Sequence, residues 1–315
     1  MGRVVQIRRE TMDIPKSNAK LSDIAKFYLV SENYRRLKSG SQNDYAKHLS
    51  AAIATTVDGK ALGSYRIDKL KVRVVTAAYQ KWVKTGTRNA NYRKSVLSAA
   101  WRYAMSQDIM DNNPVAHVET YSTKQRTVTW DRDYIRRFLN VAYGDMQYRS
   151  IGLIVHMAYD WGQRVGDMRL LKWHNLNLEQ CRLDLNQSKR NADVKLPISE
   201  GLCNMLKNQK EDFGFQEFVA PRTKPRAGAF PPYNKDEIAP IINQILTKAE
   251  LPMELTAMDL RRTAVTEMLE GGADMAGIRQ VTGHKNIQSV TPYMVNTLSG
   301  ATKALTTRGN DDEGK

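Results

Sequence analysis

The chain has 315 residues, enough at roughly 150 residues per domain for two domains, each with its own core. Its 48 Lys and Arg outnumber 33 Asp and Glu, and the formal charge of +15 excludes an ordinary enzyme of small metabolites and points to a polyanionic partner, nucleic acid first. The longest mostly apolar run, residues 151–159, is about half of the roughly 20 residues that a membrane span needs. Residues 1–10 lack the apolar core of a signal peptide, and Gly2 lacks the Ser or Thr context of myristoylation, so a cytoplasmic location is expected. Two cysteines, Cys181 and Cys203, stand too far apart for zinc spacing or a disulfide framework and read as small half-buried residues.

In chain order, residues 1–20 are basic, contain Pro15 and show no sustained helical period, which predicts an N-terminal arm. Residues 21–117 predict a small helical bundle. Within it Tyr92, Val96, Ala100, Tyr103 and Ala104 recur at three- and four-residue spacing, residues 44–56 and 74–83 are helical in composition, and Asp111-Asn112-Asn113-Pro114 is a stop. The polar stretch 118–129 reads as a linker. Beyond it, residues 130–140 and 151–161 predict helices, Gly162 interrupts, and a further helical run is expected over 163–173.

The period then changes to two. Leu183 and Leu185, then Val194, Leu196 and Ile198, alternate with polar residues, so 181–186 and 192–198 predict a hairpin around Gln187-Ser188-Lys189-Arg190-Asn191. Residues 224–232 read as loop, 236–249 and 258–270 as helix, Gly271-Gly272 as a stop and Asp274 as the next cap. Residues 301–315 form a polar tail. The expected fold class is mainly α with a small antiparallel β element.

Five polar positions in the second half carry chemistry. Arg164 has Asp167 three residues on, on the same helical face. Arg261 and Arg262 are adjacent between Leu260 and Val265, so one of them faces inward. His284 follows Gly283, and Tyr293 follows Pro292, nine residues after His284. Singly these also read as a surface ion pair, a solvated arginine, a structural histidine and a core tyrosine.

Taken in order, an arginine with an acidic residue three on, a hairpin lysine, an arginine in Asp259-Leu260-Arg261-Arg262-Thr263, Gly283-His284 and Tyr293 resemble the tyrosine recombinase, or phage integrase, family over about residues 130–300. The resemblance implies a two-domain C-shaped DNA clamp, with 21–117 as a helical core-site DNA-binding domain and 130–300 as a mixed α/β catalytic domain. It assigns catalysis to Arg164, Lys189, Arg261, His284 and Tyr293, with Asp167 in support. Lys189 falls at the hairpin turn, whereas its rival Lys195 is mid-strand. The family's His-x-x-Arg reads Met258-Asp259-Leu260-Arg261 here, so Met258 stands where the histidine would be. Arg93, Lys94 and Arg262 are candidates for contacts to DNA.

The chemistry fits these residue types. Two guanidiniums can clamp the oxygens of a phosphate that gains charge on becoming pentacovalent. Tyr293 would attack phosphorus to give a 3′-phosphotyrosyl link and a 5′-hydroxyl, Lys189 would protonate the leaving oxygen, and His284 would hold the phosphate. Neither ATP nor a metal cofactor is needed for that scheme. The implied partners are double-stranded DNA attachment sites, a homotetramer on DNA, and an accessory DNA-bending or directionality protein. The leading reading is a phage or mobile-element integrase; a chromosome-dimer resolvase, a catalytically impaired DNA-binding module and a type IB topoisomerase-like enzyme are the alternatives.

Overall fold

The computed structural model describes residues 14–124, 126–188 and 192–283, together with 302, 305 and 306. The chain divides into two compact units, 1–126 and 127–315.

In the first unit, α1 (Leu21–Leu29), the single turn α2 (Glu32–Arg35), α3 (Ser39–Ile53), α4 (Val72–Val83) and α5 (Thr87–Met105) surround one core, with a two-residue hairpin, β1 (Thr56–Val57) and β2 (Lys60–Ala61), between α3 and α4. The spacing seen from Tyr92 onward is realised in α5, which buries Val96, Leu97, Ala100, Trp101 and Ala104 against Leu21, Ile24, Leu49, Val75 and Tyr79. Polar tips of the large aromatics are satisfied at the core edge: Trp82 Nε1 donates to Thr55 Oγ1 at 2.7 Å and Trp101 Nε1 to the Asn112 carbonyl at 2.8 Å.

The segment expected to be a free arm is anchored before residue 20. The Ile67 N–H donates to the Ala19 carbonyl at 2.9 Å, and Lys20 bridges Arg66. Likewise the polar stretch after Val118 begins on this unit, since the Tyr121 N–H donates to the Tyr79 hydroxyl at 2.8 Å.

The second unit is built on α7 (Met146–Asp160), which buries Ile151, Leu153, Ile154, Val155, Met157 and Ala158. A helix apolar on most sides is a central one, and this accounts for the apolar run. Around it lie α6 (Arg132–Tyr143), α9 (Glu200–Phe213), α10 (Lys235–Lys248) and α11 (Asp259–Glu270), with α12 (Met275–Thr282) packed on α11 and the sheet. Strands β3 (Leu176–Asn177), β4 (Arg182–Asn186) and β5 (Asp193–Pro197) form an antiparallel sheet in the order β3-β4-β5. Leu183 faces Leu196 and Leu185 faces Val194 across the β4/β5 ladder, and all four are buried, so the period of two is the core face of a half-covered sheet.

Two expectations are corrected. Residues 163–173 do not form one helix: only α8 (Val165–Met168) is helical, because the chain beyond it is drawn into pairing with 217–219. The Val219 N–H donates to the Leu171 carbonyl at 2.9 Å and the Trp173 N–H to the Glu217 carbonyl at 3.1 Å, so tertiary pairing overrides local helix preference. Helix α9 had no counterpart in the expected elements, although its signals are local: Ser199 accepts from the Leu202 N–H at 3.4 Å as N-cap, and Leu202, Leu206 and Phe213 line one buried face.

Candidate active site

The site begins where α7 stops. Gly162 takes a left-handed backbone, φ 56°. Its N–H bonds the Tyr159 carbonyl at 3.2 Å and the Gln163 N–H bonds the Ala158 carbonyl at 3.1 Å, a helix closure that needs a residue without Cβ strain at positive φ. The turn buries Gln163 and leaves Arg164 extended at the N-cap of α8.

From there Arg164 reaches two partners. Its Nη1 lies 3.7 Å from Asp167 Oδ2 and donates to Gln187 Oε1 at 3.2 Å. Asp167 is itself buried, and its Oδ1 accepts from the Ser188 N–H at 3.2 Å and from the Ser188 hydroxyl. The acidic residue three after the arginine therefore ties the arginine turn to the hairpin as well as orienting the guanidinium.

Arg261, on the first turn of α11, is the inward member of the arginine pair, 7% exposed, while Arg262 is half-buried. Arg261 Nη1 donates to the Gly162 carbonyl at 3.1 Å and Nη2 to the Thr282 carbonyl at 2.7 Å. Carbonyl acceptors fix the guanidinium fork without cancelling its charge. Gln187 Nε2 donates to that same Thr282 carbonyl at 2.9 Å and to Gln163 Oε1 at 2.6 Å, and Gln163 Nε2 donates to the Trp161 and Val281 carbonyls at 2.9 and 2.6 Å. One connected, buried polar cluster thus holds both arginines, the hairpin and the end of α12. Two cations fixed on one low-dielectric cluster are an arrangement able to hold an anion.

Lys189, His284 and Tyr293 lie outside the described residues. Their flanking residues Ser188 and Gly283 are described, and both belong to this cluster. Gly283 closes α12 with φ 65° and its N–H on the Arg279 carbonyl at 2.8 Å. Met258 is 80% exposed at the N-cap of α11. Asp259 is buried and occupied as a cap, its Oδ2 accepting from the Thr256 N–H at 2.9 Å and hydroxyl at 2.8 Å. Lys195 is exposed on β5 opposite Asp184. Arg93 and Lys94 belong to α5 of the first unit, where the Arg93 guanidinium lies 5.5 Å from the Trp82 ring centroid and burial lowers its pKa.

Sequence reasoning missed Gln163, Gln187 and Thr282. Gln187 had a readable signal: it continues the inward phase of Leu183 and Leu185, so a polar residue occupies a core-facing position. The reading of the two cysteines as distant is also corrected. Cys181, at a left-handed turn (φ 46°), and Cys203 on α9 are 22 residues apart in sequence, yet their Sγ atoms lie 3.1 Å apart as free thiols. The hydrogen bond between the thiols and burial push Cys203 up. Among the described residues, no group of three or more His, Cys, Asp or Glu is placed to hold a metal ion, and no helix is long and apolar enough to cross a membrane.

Comparison with known proteins places this geometry. The tyrosine recombinase XerC of Pediococcus pentosaceus is 23% identical over 208 residues, 63% of this chain and 68% of that protein. Prophage integrase IntZ of Escherichia coli K12 is 25% identical over 227 residues, 69% of this chain and 54% of that protein. The fold resembles a lambda integrase dimer bound to a COC′ core site (TM-score 0.73, 19% identity, 89% of this chain and 80% of that one). It also resembles the Tn1549 transposon integrase in complex with a circular intermediate DNA (TM-score 0.74, 15% identity, 92% and 99%). Residues 129–298 match the model of the phage integrase family, and the chain belongs to that family, the tyrosine-type site-specific recombinases.

Proposed function

We propose that this protein cuts and rejoins double-stranded DNA at attachment sites through a 3′-phosphotyrosyl intermediate formed by Tyr293, as a phage or mobile-element integrase. The observation that carries the reading is the shared polar cluster of Arg164 and Arg261, to which the residues preceding Lys189 and His284 also belong. In this reading the arginines bind the non-bridging oxygens of the scissile phosphate. The Tyr293 hydroxyl loses its proton to water, its oxygen forms the new bond to phosphorus, and the bond to the 5′-oxygen breaks. Lys189 gives that oxygen its proton, and His284 donates to the phosphate. The phosphodiester energy stays in the tyrosyl link, so the reverse attack by a 5′-hydroxyl rejoins a strand without ATP.

The net charge of +15 supports a duplex as substrate. A lambda integrase tetramer bound to a Holliday junction has the same fold (TM-score 0.72, 17% identity, 88% of this chain and 78% of that one), which supports four protomers exchanging strands between two sites. An accessory DNA-bending or directionality protein belongs to the same proposal. The residues 1–126 would bind the core site and the residues after 127 would cut it.

The test is a nicked duplex from which the short cleaved fragment diffuses away, trapping protein on DNA. The duplex is obtained by repeated rounds of selection for binding to the full chain. A covalent adduct lost in Tyr293→Phe with binding retained is the expected result; an adduct that survives in that variant means that another residue attacks. One observation favours the impaired-module reading: Met258, exposed at the motif position, has no proton-accepting group. Failure of the natural protein to form any adduct would establish that reading instead.

A further inference from the structure

We infer that Gln187 is a positioning residue of the cleavage site, setting the hairpin that carries Lys189 against Arg164 and the end of α12; this rests on the proposed function. Gln187 is fully buried directly after β4, in phase with the inward Leu183 and Leu185 of that strand. A leucine there would continue the core. An amide in its stead requires partners, since a buried polar group without them is strongly unfavourable.

Each atom of the amide is used, and the direction of every bond is determined by the network. Gln163 Nε2 faces two carbonyls, of Trp161 and Val281, so its Oε1 must be the atom turned to Gln187. Gln187 therefore presents Nε2 to Gln163 Oε1 and to the Thr282 carbonyl, which leaves its Oε1 to accept from Arg164 at 3.2 Å. The Thr282 carbonyl in turn accepts from Arg261 at 2.7 Å. A single side chain thus joins Arg164, through one shared carbonyl, to Arg261.

Two further features place this amide at the base of the lysine turn. The Gln187 N–H donates to the Ala192 carbonyl at 2.9 Å, and the next residue, Ser188, is held by Asp167. On the other side a Cβ at Gly283 would sit 2.7 Å from both Nε2 and Oε1 of Gln187, so the glycine before His284 is required by contact with this amide as well as by its φ of 65°. The turn preceding the histidine is thus packed against the amide of a residue two positions before the lysine.

The test compares the full-length natural protein with Gln187→Met, Gln187→Glu and Lys189→Ala in single-turnover cleavage of the selected nicked duplex. A second substrate carries sulfur in place of the 5′-bridging oxygen, because a thiolate leaves without needing a proton. Gln187→Met should bind the duplex within about threefold of the natural protein, cleave the oxygen substrate about 10²-fold more slowly, and recover most of that loss on the sulfur substrate, as Lys189→Ala does. Gln187→Glu puts an acceptor against two acceptors, and its rate should rise as pH falls toward 5, where a protonated carboxyl can donate again. This second readout decides the matter if Gln187→Met does not fold.

Cleavage by Gln187→Met at the natural rate, or an equal deficit on both substrates while Lys189→Ala is rescued, overturns the positioning role and leaves the proposed function standing. So does a Gln187→Glu rate that follows the natural pH profile. Absence of any adduct with the natural protein overturns the proposed function, and this inference falls with it.

Discussion

Arg261 and Gly162 are 99 residues apart, and the Arg261 guanidinium donates to the Gly162 carbonyl at 3.1 Å, bracing from α11 the very turn that aims Arg164. The two arginines are therefore coupled through the backbone of a helix terminus, and each is a support for the other's position. Lys at position 261 keeps the charge and loses the planar fork. Arg261→Lys should slow adduct formation by about 10²-fold or more, the scale of removing one preorganised donor. It should also lower the thermal midpoint, because the Gly162 carbonyl loses a donor at about 1–3 kcal/mol for a group left unsatisfied, whereas the Thr282 carbonyl keeps the Gln187 amide. Differential scanning calorimetry beside the suicide-duplex assay measures both; unchanged stability would mean that another donor replaces the guanidinium.

Met258 is 80% exposed, so substitution there leaves packing intact. Met258→His should accelerate adduct formation by roughly tenfold or more, at the lower end of what a positioned general base contributes. Met258→Ala should match the natural protein in rate and thermal midpoint. Single-turnover rates across pH 6 to 9 make the comparison, and equal rates for the natural and His proteins would show that the proton already has another acceptor.

Binding should weaken steeply with salt, each neutralised phosphate adding about −0.9 to the slope of log K against log salt. Filter binding of the full chain to duplex between 50 and 300 mM salt supplies the slope, and a value near zero contradicts a DNA-binding role for the +15 charge.

His156 is half-buried in the second unit, with Nδ1 2.9 Å from the Tyr143 hydroxyl and Nε2 3.7 Å from Asp160 Oδ1. Burial lowers its pKa below the ordinary 6.5, against the pull of Asp160. The unfolded chain then takes up the proton more readily than the folded one, so this contribution to stability is complete above about pH 6.5 and declines as pH falls below it. His48 in the first unit is lowered in the same direction by burial and then by Arg93. Urea midpoints between pH 5 and 8 should fall on acidification, with the slope reduced in His156→Gln and His48→Gln. A slope untouched by either variant would place the acid sensitivity elsewhere.

The free thiols of Cys181 and Cys203 are in contact, 3.1 Å apart. Oxidation by diamide should form a disulfide between them, the two thiols giving up two hydrogens to the azo group. The bridge would close the 22-residue separation and stabilise the fold by about 3 kcal/mol on the chain-entropy account. Loss of two titratable thiols with a raised thermal midpoint, absent in Cys203→Ala, is the expected result; slow, incomplete oxidation in the unfolded protein serves as the reference.

Local order determined much of this protein from the sequence alone. The alternation of Leu183, Leu185, Val194 and Leu196 specified a hairpin because a strand can bury only every second side chain, and 151–161 read as a helix whose central place only packing showed. The order of Arg164, Lys189, Arg261, His284 and Tyr293 was readable through its resemblance to the family, and of these the structure describes Arg164 and Arg261, which share one polar cluster. What tertiary structure alone decided are the features whose energy comes from contacts between distant segments. Local propensity favoured helix through 163–173, but the helix stops at Met168 and pairing with 217–219 takes up residues 171–173. Gln187 reads as a polar turn residue until Gln163, Thr282 and Arg164, 24, 95 and 23 residues away, supply its partners. The same is true of the cysteines, which no spacing rule brings together and which meet because α9 packs beside the turn that starts β4. Periodicity reports which face of an element is buried; only the closed chain determines what that face is buried against.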